Sequence, residues 1–202
     1  MITTYTELQT AVGNWLERDD LADRIPEFIQ LAEARHKRDV RMVEMITRSA
    51  ITVSDRYPAY PTGFLEPITF KLLTNPVTAL QQVSPDQLDG IRIESTGRPT
   101  AYTIYETFEL DRAPDQSYNG ELRCYTAVTA LSVTNADNAI LLRHPDLYLY
   151  GALSATAPFL MHDERIQVWE AYYQSALKGT STQLRRARRG GNRQPRIAGS
   201  IV

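Results

Sequence analysis

Arginine side chains crowd one stretch of this 202-residue chain. A guanidinium recognises two kinds of partner, phosphate and carboxylate, through a planar fork of N–H donors. Arg185, Arg186, Arg188, Arg189, Arg193 and Arg196 follow one another closely, with Lys178 just before them. No acidic residue occurs from Ala171 to Val202, which carries +7, whereas residues 1–170 hold 15 Lys+Arg against 24 Asp+Glu, a balance of -9. Three uses of the cluster are open: a solvated helix end, neutralisation of DNA phosphates, or docking on an acidic protein surface. No aromatic residue lies in 185–202, so stacking of single-stranded bases is unsupported. Ile197, Ile201 and Val202 suit a protein groove better than a phosphate backbone.

Other chemistry is hard to build from this sequence. His36, His144 and His162 lie in three different regions, and none belongs to a His-x-x-x-His pair. Cys124 is the single cysteine, which excludes an internal disulfide framework and reads as a small apolar residue in a strand. No zinc site, phosphate-cradling glycine loop or dinucleotide-binding turn is present. Asp163 and Glu164 beside His162 read as a helix start, where carboxylates favour the positive end of the dipole. No catalytic residue, metal or cofactor is therefore expected.

The elements that must position the arginines fall in three blocks. Thr4–Glu7 has the form of a capping box, followed by Leu8, Val12, Trp15 and Leu16 at helical spacing. Pro26 suits a first helical turn, and Phe28, Ile29, Ala32, Ala34 and His36 line a second helix. Glu33, Arg35, Lys37, Arg38 and Asp39 are expected on its other, charged side. The middle of the chain is β-rich. Strands are expected near 47–53, 67–73, from Leu80, at 101–105 and 108–110, and at 121–128, with turns at Asp55–Pro58 and Gly97–Pro99. Ser84-Pro85-Asp86 starts a short helical turn. His144-Pro145-Asp146 opens a further helix, Pro158 should kink or divide it, and Ile166, Trp169, Tyr173, Ala176 and Leu177 form the stripe of a long last helix that Gly190-Gly191 ends.

The expected fold is α+β and mainly helical: an N-terminal helix pair, a small antiparallel β block, long C-terminal helices and an extended basic tail. One domain is expected over 1–184, with helices about 4–41 and 144–184 and a β insertion about 45–130, followed by a flexible Arg-rich extension over 185–202. Eleven tyrosines join large apolar bodies to polar tips, which favours interfaces. Tyr57, Tyr60 and Phe64 in the β block, with Tyr148, Tyr172 and Tyr173 on the last helices, are the candidates for subunit or tail contact. No apolar run approaches the ~20 residues of a membrane span. The first residues lack a basic segment followed by an apolar one, so synthesis in a cytoplasm is expected.

Three stretches together resemble a known family. They are Ile2–Leu8 through Ile25–Arg35, then Tyr60-Pro61-Thr62-Gly63-Phe64-Leu65-Glu66, then Arg143–Leu153 running on through Ala157–Leu160 to Trp169-Glu170. They look like the head–tail adaptor, or connector, proteins of tailed bacteriophages and related gene-transfer particles. The likeness covers nearly the whole chain and is weakest from about 74 to 140. It implies a non-catalytic virion protein, made in the bacterial host, that forms a homo-oligomeric ring of usually twelve copies beneath the capsid portal. It implies contacts with the portal protein and with a tail or next connector protein, and DNA passing through the channel without sequence specificity. A C-terminal extension engages the portal in such proteins, and 185–202 corresponds to it in position. The rival readings are a DNA-binding packaging or regulatory factor using the Arg-rich segment, and a wall-degrading enzyme. The acidic body opposes the first, and the missing nucleophile or metal constellation opposes the second.

Overall fold

A computed structural model describes residues 1–160 and 164–188. The chain divides into two compact units, Met1–Val43 with Ala130–Val202, and Glu44–Thr129. Helices account for 46% of the chain and strands for 21%, so the fold is mixed rather than mainly helical.

Among the described residues, five α-helices build the first unit: α1 (Tyr5–Leu16), α2 (Ile25–Asp39), α4 (Ala139–Arg143), α5 (Pro145–Ala155) and α6 (Arg165–Arg188). The expected capping box opens α1: Thr4 Oγ1 accepts from the Glu7 N–H, and Glu7 Oε2 accepts from the N–H groups of Thr3 and Thr4. Pro26 sits in the first turn of α2 and Pro145 in that of α5, where a missing N–H costs nothing. Helix α5 is the centre of the unit and packs against α1, α2, α4 and α6. Leu147, Tyr148, Leu149, Gly151, Ala152 and Leu153 are all buried, which is the pattern of a helix enclosed on most sides. It stops at Ala155, and a 3-10 turn at Ala157–Phe159 carries Pro158. The short α4 was not expected; Asn138 caps it by accepting from the Leu141 N–H at 2.9 Å.

In the second unit the strands β1 (Ile46–Val53), β2 (Phe64–Leu72), β3 (Thr78–Gln82), β4 (Ala101–Ile104), β5 (Phe108–Leu110) and β6 (Tyr118–Thr126) form one curled sheet. Its order is β1-β6-β2-β3-β4-β5. All neighbours run antiparallel except β3 and β4, which pair in parallel; the expected purely antiparallel block is corrected there. Helix α3 (Pro85–Ile91) supplies that crossover, started by a capping box between Ser84 and Gln87. Strand β2 begins at Phe64, earlier than expected, and register shifts between Phe64 and Glu66 and between Pro67 and Thr69 accommodate Pro67 inside it, as strand prolines require. Gly97–Pro99 is not a turn. It runs beside 111–113, with the Gly97 N–H donating to Ala113 O at 2.9 Å.

Candidate functional site

Helix α6 leads to the arginines, so what holds α6 decides where they sit. Its inner face buries Trp169, Tyr173 and Thr180. Ile166, Ala176 and Leu177 of the expected stripe are half-buried. Arg35 of α2 reaches across with a bidentate pair to Glu170, at 2.8 and 2.6 Å, and its guanidinium lies 3.8 Å from the centroid of the Tyr173 ring. Hydrogen bonds from Arg35 hold the Glu170 carboxyl down to about 2. Fork-to-fork geometry of this kind fixes orientation as well as adding strength.

A polar network lies inside the helical unit. Glu33 is 8% exposed. Its Oε1 accepts from the Leu131 N–H at 2.7 Å and from the Tyr148 hydroxyl at 3.1 Å. Asn138 Nδ2 in turn donates to Tyr148 Oη at 2.7 Å, so the chain of donors runs from the α4 cap through α5 to α2. Burial pushes the Glu33 carboxyl above its usual range, although these hydrogen bonds pull the other way. One turn on, His36 Nε2 donates to Leu147 O at 3.3 Å. Its ring is edge-on to Tyr148 and stacked with Tyr173. Burial lowers the His36 imidazole to about 4.

The close approach of α2, α5 and α6 depends on Gly151. A methyl group there would lie 3.2 Å from Ala32 Cβ, 3.3 Å from Tyr173 Cε2 and 3.4 Å from His36 Nε2. Gly151→Val should destabilise the protein by about 1–3 kcal/mol through overpacking, read as a lower urea midpoint with an unchanged slope. A midpoint at or above wild type would show that the three helices can part without loss.

In the β unit, an aromatic cluster of Tyr60, Phe64, Phe70, Tyr102 and Phe108 fills one side of the sheet, with ring centroids 4.5–5.7 Å apart. Tyr60 also clamps the β4–β5 turn: its hydroxyl lies 2.6 Å from Tyr105 O and 3.0 Å from Thr107 O, both acceptors. The clamp holds the turn that presents Tyr105. A shallow cleft of about 380 Å³ opens there, lined by Tyr57, Tyr105, Glu106, Thr107 and Glu109.

These positions sort the expected contact residues. Tyr57 and Tyr172 are half exposed, each at 50%. Tyr172 lies on the outside of α6 next to Tyr150, which also meets Trp15 edge-on. Tyr60 and Phe64 are half-buried and serve the aromatic cluster. Tyr148 and Tyr173 are corrected: at 2% and 0% exposure they belong to the core of the helical unit and have no surface to offer a second copy. Glu33 is a second correction, since the helix face expected to be charged and solvated turns this carboxylate inward. Arg185 and Arg186 are exposed on α6, and Arg188 is its last residue. Arg189, Arg193, Arg196, Ile197, Ile201 and Val202 lie outside the described residues, as do His162, Asp163 and the expected helix stop at Gly190-Gly191. Sequence reading missed the Arg35–Glu170 pair and the Glu33 network. One signal was available for the latter, because Glu33 and His36 are spaced to share a face with Ile29.

Among the described residues no group of three or more His, Cys, Asp or Glu is placed to hold a metal ion, and no helix is long and apolar enough to cross a membrane. What the geometry offers is surface: a rigidly held helix with a basic end, and an aromatic cleft edged by carboxylates. A family model described as SU10 adaptor protein matches residues 3–196. No curated protein matches the chain.

Proposed function

Because the chain belongs to the SU10 adaptor protein family, a family of phage head–tail adaptors, we propose that it assembles as a ring of identical subunits, twelve in number, between the capsid portal and the tail. The match over residues 3–196 carries this reading. In it, the segment from Arg185 to Val202 docks on the portal: Arg185, Arg186, Arg188, Arg189, Arg193 and Arg196 meet acidic portal surface, and Ile197, Ile201 and Val202 enter apolar grooves. Many weak anchors, one from each subunit, add up by multivalency. The acidic body lines a channel that does not retain DNA, and the protein performs no catalysis. Tyr57 and Tyr172, exposed on the two units, serve contacts with neighbouring subunits or with the tail-side protein.

The test is electron microscopy of the protein mixed with the portal protein of its own phage. The full-length chain should cap the portal with a ring, and a chain ending at Gly190 should bind at least tenfold more weakly. Equal capping by both chains would remove the docking role of residues 191–202. No complex from either chain would sink the portal reading and turn attention to duplex DNA, where binding would have to weaken steeply with salt.

A further inference from the structure

Two sets of unused groups in this chain complement each other. On α6, Arg185 and Arg186 are exposed, and among the described residues neither has an ion-pair partner. In the β unit, Tyr105 is 64% exposed and stands on a turn that cannot easily move. The Tyr105 N–H donates to Thr107 O at 3.0 Å, and the Tyr60 hydroxyl holds both carbonyls. Glu106 beside it is exposed and also has no ion-pair partner among the described residues. Tyr57 also lines the cleft. The other charges at this edge are already engaged: Arg92 pairs with Glu94 and Glu109, and Arg56 lies 3.7 Å from Glu94. The cleft thus offers two tyrosine side chains, Tyr57 already beside the Arg92 guanidinium, and the Glu106 carboxylate, without an ion-pair partner among the described residues. All three favour a guanidinium, the rings through their quadrupoles and the carboxylate through a bidentate pair. A lysine would lose the stacking and the fork.

We propose that the cleft formed by Tyr57, Tyr105 and Glu106 is the seat for the last turn of α6 of a second copy, with Arg185 and Arg186 as the inserted groups. This contact joins two different surfaces of identical chains, so it is heterologous, and a heterologous contact repeats head to tail until the rotation closes a ring. The inference rests on the ring reading and deepens it. It revises that reading at two residues: Arg185 and Arg186, given there to the portal, serve a neighbouring subunit instead, and the later arginines keep the portal. The fixed β4–β5 turn spares the ordering cost that a mobile loop would carry.

The contact is read directly by disulfide trapping between two full-length chains. One carries Thr107→Cys at the cleft and the other Ala187→Cys on α6, so that Tyr57, Tyr105, Glu106, Arg185 and Arg186 all stay in place. Cys124 is buried and does not compete. On mixing and oxidation, the heterodimer should exceed either homodimer about tenfold. Arg185→Glu with Arg186→Glu in the second chain should reduce it to the statistical share, and adding Glu106→Arg to the first should restore at least half. A statistical yield from the unreversed pair, or a yield indifferent to reversal, overturns the proposal. The same mixtures are examined with and without portal protein. Portal capping with a statistical yield removes this contact and keeps the adaptor reading. An excess of heterodimer without any portal complex does the opposite.

Discussion

Glu33→Ala is expected to destabilise the helical unit by about 3–5 kcal/mol. The substitution removes the acceptor for two buried donors, the Leu131 N–H and the Tyr148 hydroxyl. Each donor left unsatisfied costs about 1–3 kcal/mol, and the emptied volume adds a cavity term. Glu33→Gln separates the two roles of the side chain. It keeps a carbonyl oxygen for both donors and removes a charge that burial already disfavours, so it should cost under about 1 kcal/mol. Urea unfolding followed by tryptophan fluorescence measures both variants, because Trp15 and Trp169 are the only tryptophans and both belong to the helical unit. Equal losses from Ala and Gln would mean that the buried charge, not the acceptor, holds the network together.

Acidification should weaken the same unit in a window set by His36. Its imidazole falls from the ordinary 6.5 to about 4 because burial disfavours the cation, although the Leu147 carbonyl pulls upward. Between those values the unfolded chain binds a proton that the folded chain refuses. The contribution is fully present above pH 6.5 and is lost as the pH falls towards 4, a total of about 3 kcal/mol. Two carboxylates modify the profile. Glu33, raised by burial, takes up its proton earlier in the folded state and opposes the loss. Glu170, held down to about 2 by Arg35, adds a further loss below its unfolded value of 4.5; it is 40% exposed, so solvent screens its share. His36→Gln keeps a donor for Leu147 O and removes the titration. The measurement is the urea midpoint from pH 7.5 to 4. The difference between wild type and His36→Gln should change steadily between 6.5 and 4, and parallel profiles would show that His36 takes no part.

Both predictions concern residues whose importance was not visible along the chain. Glu33, Arg35, Lys37, Arg38 and Asp39 look alike as a charged run, yet one is buried and one is locked to α6. What separates them is the position of α5 and α6, more than a hundred residues downstream. The element boundaries were far more legible. The capping box at Thr4–Glu7, the helical turn started at Ser84, the prolines at 26 and 145, and the stop before Pro158 are decided by groups within four residues of each other. Backbone donors at a helix start need a nearby acceptor whatever the fold, so the signals survive without tertiary information.

The family likeness was also legible, because it rests on the order of such local signals along the chain. Surface assignments were not. Tyr148, Tyr172 and Tyr173 share one residue type and helical spacing, but only Tyr172 faces outward. A tyrosine can fill a core or coat an interface, and its chemistry does not choose between them. Likewise, nothing local announces that β3 and β4 run parallel, or that Tyr60 clamps the turn bearing Tyr105 from 45 residues away. The sequence by itself therefore determined most of the elements, though not α4 or the start of β2, the charge division between body and arginine segment, and the family. Burial, the polar network joining α2, α5 and the α4 cap, and the exposed cleft were decided by the tertiary structure, since each depends on which distant faces meet and exclude water.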